Sequence, residues 1–209
     1  MTETIPSRTA AVTDPLQAQK DLQIEADALV RELQLEDMLS ALGRPIRVGS
    51  SAMGLMAHRD IDMTVVCSRL DDRTPSEFGR KAAHLMQQTT TVESVRFRND
   101  SGAWNKAPET YPDGFHLGLT VRTRDTAMWT LDIRVVDQPA RQPDLAHLAN
   151  LLPRINESHR RAILRIKQAL AERPASREVI PSALVYEAVV DHDIRTVEQF
   201  DHWCLDRPA

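Results

Sequence analysis

Three aspartates in two short, mostly apolar runs carry the strongest chemical signal in this chain. Asp60-Ile61-Asp62-Met63 alternates acidic with apolar residues, and Trp129-Thr130-Leu131-Asp132-Ile133-Arg134 repeats the alternation. In an extended strand, residues two apart share a face, with Cα atoms ~6.6 Å apart. Asp60 and Asp62 then project from one side, while Ile61, Met63 and Val65 fill the other. Neighbouring carboxylates repel unless a cation lies between them. Hard divalent ions take oxygen ligands, and two Mg²⁺ ions ~3.5–4 Å apart can be bracketed by such a pair. If the Asp132 strand lies beside the first, all three carboxylates meet on one patch. One ion is then bridged by three of them and the other held by two. A lone carboxylate in an apolar strand is costly to bury, so Asp132 is either a metal ligand or the ion-pair partner of Arg134 or Arg122.

Upstream, Val48-Gly49-Ser50 precedes Asp60 by a nine-residue spacer. A glycine after a short strand lets the chain turn tightly, so that backbone N–H groups and the Ser50 hydroxyl can cup phosphate oxygens. Ser51 can share that role. The GxxxxGK[ST] loop of ATPases is absent. Arg59 and Arg134 flank the carboxylates, either to neutralise phosphate oxygens or as structural ion-pair partners. Trp104 and Lys106 lie in a long Gly- and Pro-bearing loop between two strands. Lys106 can reach a triphosphate, and Trp104 can stack on a base or cover the site. His116 shares a strand face with Gly118, Thr120 and Arg122, where it either touches substrate or serves as a hydrogen-bonded structural histidine. His58 has no well-spaced His or Cys partner, which argues against zinc.

A Gly-Ser pair, a spacer near ten residues, an Asp-x-Asp triplet and a later strand-borne Asp together resemble the nucleotidyltransferase superfamily typified by DNA polymerase beta. Its smaller members include antibiotic nucleotidyltransferases of the aminoglycoside and lincosamide kind. The resemblance covers Arg44–Val136, and it departs from the pattern where His58-Arg59 replaces the Ser or Thr that often precedes the first Asp. It implies that Gly49 and Ser50 hold a triphosphate. It also implies that Asp60, Asp62 and Asp132 bind two Mg²⁺ ions (or Mn²⁺), with Asp132 as a further candidate for the base. The implied reaction moves a nucleoside monophosphate from a nucleoside triphosphate, AMP from ATP first, onto the hydroxyl of a small molecule, releasing pyrophosphate. The rival readings are a tRNA or protein acceptor, as in toxin-like members, pyrophosphate transfer to make alarmones, and a catalytically inactive binding member. A basic patch at Arg154, Arg160, Arg161 and Arg165 facing the cleft would favour tRNA.

These residues need a scaffold. Asp14-Pro15 with Gln17 opens a helix whose apolar period runs to about Ala41. Strands are expected at Ile46–Val48, Asp60–Cys67, Val92–Arg98, Phe115–Arg122 and Trp129–Val136. Thr74-Pro75-Ser76-Glu77 marks the cap of a helix whose inner face is Phe78, Ala82, Leu85 and Met86. Beyond Pro139 the pattern turns helical, at Leu145–Leu152, Ile155–Leu170 and Ala183–Val190, then in a last helix opened by Thr196-Val197-Glu198-Gln199. The fold class is therefore α+β, a small mixed sheet flanked by helices: a nucleotidyltransferase-like core at 14–143 and a C-terminal helical module at 144–209. The nucleotide is expected on the sheet side of a cleft and the acceptor toward the helices.

With 209 residues, 42% apolar and 27% charged, the chain has ordinary globular composition and no need of disulfides, so Cys67 and Cys204 are read as inert thiols. A net charge of -4 gives no footprint for wrapping duplex nucleic acid. The polar opening residues lack a leader-like apolar stretch and no run suits a membrane span, so a cytoplasmic protein is expected. Monomer and homodimer are equally open.

Overall fold

The helix expected from Asp14 to Ala41 divides in two. The computed structural model describes residues 14–174 and 180–207, so the polar tail read at the start of the chain lies outside the described residues. Helix α1 spans Pro15–Glu32 and α2 spans Leu35–Ser40, with Gln34 between them at φ 51°. A left-handed residue costs roughly 1–2 kcal/mol. The bend turns Leu33, Leu35 and Leu39 all into the core, where none is more than 2% exposed. Asp14 does not cap α1 with its side chain; its carboxylate pairs with Arg161 at 2.8 Å.

Strand β1 (Arg44–Val48) leads into the short helix α3 (Gly49–Met53), and β2 (Asp60–Val66) follows. Gly43 is required by packing, since a Cβ there would overlap the Val66 carbonyl. Helix α4 spans Thr74–Met86, but its cap is not the expected Thr74–Glu77 box. The Asp71 carboxylate accepts the N–H groups of Arg73 (3.0 Å) and Thr74 (3.1 Å). An ionised carboxylate is a stronger acceptor than a hydroxyl, and Glu77 turns to Arg80 instead. Met86, expected inward, is 40% exposed.

Strands β3 (Val92–Asp100), β4 (Gly114–Arg122) and β5 (Met128–Val136) complete a five-stranded sheet of order β1-β2-β5-β4-β3. Only the β2–β5 pair is parallel; β1–β2, β5–β4 and β4–β3 are antiparallel. One face carries Ile61, Met63, Val65, Leu117, Leu119, Leu131, Ile133 and Val135 into a core closed by α1, α2 and α4. The other face carries the polar partners of the same alternation.

Helices α5 (Pro143–Asn150), α6 (Glu157–Ala171), α7 (Ser182–His192) and α8 (Val197–Leu205) build a second apolar cluster. The expected capping box at Thr196 forms with Gln199, and Asn156 with His159 forms another at the start of α6. Met53 and Leu55, from the turn after β1, belong to this second cluster rather than to the sheet core. The helical module therefore grips the Gly-Ser turn from behind. None of the described helices is long and apolar enough to cross a membrane.

Candidate active site

Sheet register decides which acidic groups meet. Asp62 is the Cα partner of Asp132 across the parallel β2–β5 pair, and Asp60 lies two residues earlier opposite Thr130. Adjacent strands are ~4.8 Å apart and paired residues share a face, so all three carboxylates lie on one side of the sheet. On the other side of β2, Val48 pairs with Asp62. The chain then turns at Gly49, which has φ +64° and lies so close to Asp62 that a Cβ would overlap its Oδ2. Glycine is required there twice over, by conformation and by space.

The turn leaves the two serines with different prospects. The Ser50 hydroxyl is buried and has no partner among the described residues. Ser51 donates to the Val48 carbonyl at 3.3 Å, so its hydroxyl is occupied within the turn and does not share the role expected of it. Arg59 is also diverted: its guanidinium pairs with Glu25 of α1 at 3.0 Å, which is the structural alternative foreseen for it. Arg134 lies on the Asp132 face, but two residues further along β5 and away from the Gly49 turn. It stacks over Tyr111 (5.0 Å to the ring centroid) and lies 3.7 Å from Asp100. Lys106 lines the same groove as Arg134, so neither is brought to the Gly-Ser turn.

Two residues that the motif did not reveal complete the arrangement. Lys167 of α6 is 5% exposed and donates to the Leu55 carbonyl at 2.8 Å. Burial holds its amine below the usual lysine range, while the charges of Asp60 and Asp62 pull it back up. It is the buried cation facing this pair. His116 Nε2 lies 2.7 Å from Asp132 Oδ1, and its own strand position pairs with Arg134. Gly118, opposite Asp132, adds no side chain between Asp132 and Arg96 of β3.

Electrostatics separate the three carboxyls. Burial, then the charges of Asp60, Asp132 and Asp144, push Asp62 up to about 7. Burial also raises Asp60, against the attraction of Lys167 and His58. The hydrogen bond from His116 holds Asp132 below the usual carboxylate range. One Asp60 oxygen is buried with no partner among the described residues.

No group of three or more His, Cys, Asp or Glu side chains among the described residues is arranged to hold a metal ion. Asp132 gives Oδ1 to His116 on β4, the strand on the far side from β2. The donor set nevertheless suits a hard cation: buried, mutually repelling carboxylates with one orphaned oxygen. Of the four arginines considered for a tRNA patch, Arg154 pairs with Asp191, Arg160 bonds the Met53 and Gly54 carbonyls, and Arg161 joins Asp14 and Glu157. Those three are engaged within the protein, while Arg165 is exposed.

No family model matches the sequence, and no curated protein matches it. Solved structures do match in fold. The Cid1 poly(U) polymerase with MgGTP bound has a TM-score of 0.51 at 15% identity, over 88% of this chain and 55% of that one. Cid1 in a study of its RNA terminal uridylyl transferase activity gives 0.52 at 15%, over 84% and 50%. A cytoplasmic RNA terminal U-transferase gives 0.50 at 14%, over 85% and 54%. The chain thus spans about half the length of these proteins. With its mixed sheet flanked by helices and its C-terminal helical module, the chain shares the nucleotidyltransferase-like fold of these solved structures.

Proposed function

We propose that this protein is a metal-dependent nucleotidyltransferase that moves a nucleoside monophosphate from a nucleoside triphosphate to a hydroxyl of an RNA end. The observation that carries the reading is the in-register pairing of Asp62 with Asp132, with Asp60 on the same face and Gly49 pressed against Asp62. A fold that holds like charges together at a glycine turn is shaped for cations and phosphates. An RNA acceptor, rather than the small-molecule hydroxyl expected from the sequence, is supported by the fold shared with a poly(U) polymerase and an RNA terminal U-transferase.

Asp60, Asp62 and Asp132 would hold the metal ions. When bound, Mg²⁺ supplies charge compensation for the triphosphate and lowers the pKa of the acceptor hydroxyl. The chain itself does the positioning. The Gly49–Ser50 turn offers backbone N–H groups and a free hydroxyl to the phosphates, and Lys167 offsets their charge from the helical side. His116 fixes the Asp132 carboxylate, and Asp132 is the candidate base for the acceptor hydroxyl. The acceptor oxygen forms a bond to the α-phosphorus as its proton passes to the Asp132 carboxylate, the bond from the α-phosphorus to the α–β bridging oxygen breaks, and pyrophosphate leaves. On this reading the helical module contributes to the phosphates through Lys167, in addition to the acceptor side expected for it from the sequence. Incubation of the protein with Mg²⁺, each α-labelled triphosphate, and either RNA or a panel of small alcohols tests the reading. Label should extend RNA and need Asp62; label on the small alcohols alone would return the acceptor to that class.

A further inference from the structure

The loop between β3 and β4 is built as a fixed platform beside the carboxylates. Asn105 Nδ2 donates to the Tyr111 carbonyl and to Asp113, both at 3.1 Å, and Asn105 Oδ1 accepts the Ala107 N–H at 3.1 Å. Arg141 reaches in from outside to the Pro108 carbonyl. The loop's own polar groups set its shape, so Trp104 is not needed for packing. Trp104 ends the short turn Gly102–Trp104 and is 69% exposed.

Between this loop and the end of β3 runs a groove of about 520 Å³, lined by Arg98, Asp100, Trp104, Lys106, Tyr111 and Arg134. Three cations against one carboxylate leave it at +2 in a chain of net charge -4. Asp100 takes Arg98 through both oxygens, at 2.6 and 2.7 Å, and lies 3.7 Å from Arg134. One carboxylate cannot use all the donors of two guanidinium groups, so N–H groups remain for a ligand. Arg98, His116 and Arg134 are aligned across the sheet on the Asp132 face. Arg134 is two strand positions from Asp132, and Gly49 lies to the other side. The groove therefore opens beside Asp132, on the side away from the Gly49 turn, and leaves at β3, an edge strand.

We propose that this groove holds the terminal stretch of a single-stranded RNA acceptor, with a base on Trp104 and phosphates on Lys106, Arg98 and Arg134. The assignment rests on the nucleotidyl-transfer reading and names where its acceptor lies. A flat aromatic face between spaced cations matches the alternation of base and phosphate, and stacking of this kind tolerates any base. An acidic peptide would engage the cations but offer nothing for the exposed indole.

Fluorescence anisotropy with a short, labelled, mixed-sequence single-stranded RNA tests this without any turnover, using the full chain. Trp104→Ala should weaken binding roughly ten- to hundredfold, and Trp104→Phe should restore most of it. Lys106→Gln should weaken binding and reduce the slope of log affinity against log salt by about 0.7. Binding of Mg²⁺ with ATP, measured by calorimetry, should be unchanged in all three variants. RNA affinity indifferent to Trp104 and Lys106, or an acidic peptide displacing RNA at equal concentration, would overturn the assignment. Transfer of label to small alcohols by a protein without RNA affinity would remove the groove's role and leave the transfer reading intact. Trp104-dependent RNA binding by a protein that binds no triphosphate would do the opposite.

Discussion

At the scale of single residues, the account depends on groups that oppose one another. Gly49 is held at φ +64° against Asp62, so Gly49→Ala must strain the backbone by roughly 1–2 kcal/mol and displace the carboxylate as well. Calorimetry should show Mg²⁺-dependent triphosphate affinity lost well beyond what the thermal midpoint loses; equal, small losses would mean that the close approach has no function. His116 is a positioning residue. His116→Ala should lower turnover roughly 10–100-fold, the usual range for a group that orients a metal-binding carboxylate. Because His116 holds Asp132 below the usual range, its removal should also move the acid limb of the pH–rate profile to higher pH. A purely structural histidine would lower turnover without moving that limb. Gly49, Ser50 and the three aspartates were legible in the sequence because their signal is local: a turn residue, a period of two, and charge in apolar strands. The His116–Asp132 bond was not, because it depends on which strands pair and in what register, and the sequence carries no mark of either.

At the scale of elements, the helical module reaches the site through α6. Lys167 follows Asp62 by more than a hundred residues and lies on an amphipathic helix like any other lysine, so nothing nearby in the sequence reveals its role. Only the packing of α6 on Met53 and Leu55 does so. Lys167→Met should reduce triphosphate affinity by the worth of a charged hydrogen bond, about 1.5–3 kcal/mol, with RNA binding in the anisotropy assay untouched. Loss of RNA binding to the same extent would contradict the division of labour between module and sheet. The helix starts teach a related lesson. Thr196 formed the box its sequence announces, whereas Asp14 and Thr74 met stronger competitors, Arg161 and Asp71. As a control away from the site, Asp71→Ala should lower the midpoint of a thermal melt through the lost cap and leave transfer unaffected. The break at Gln34 escaped the sequence because the apolar period continues through it, and tertiary burial of three leucines decided the matter.

At the scale of the whole molecule, the buried carboxylates make stability depend on pH and on cations. Asp62 titrates near 7 when folded against an ordinary value of 3.8, so the folded protein binds the extra proton between those values. Its contribution is fully present below about pH 4 and is lost as pH rises through about 7. Asp60 is shifted in the same direction. The thermal midpoint without divalent ions should therefore fall between about pH 5 and pH 8, and Asp62→Asn should flatten that fall. Mg²⁺ competes with the proton, so it should raise the midpoint more at the higher pH; equal effects at both would place the ion elsewhere. The overall architecture, five strands and a helical tail, was legible from periodicity, but the packing of the Gly-Ser turn onto the second apolar cluster through Met53 and Leu55 was not. All of this converges on one claim, that Asp60, Asp62 and Asp132 together carry nucleotidyl transfer. The most direct test is incorporation of label from an α-labelled triphosphate into RNA with Mg²⁺, comparing wild type with Asp62→Asn and Asp132→Asn. The account expects extension by wild type, none by Asp62→Asn, and at least a hundredfold loss in Asp132→Asn with triphosphate binding largely kept. Normal extension by either variant would contradict it.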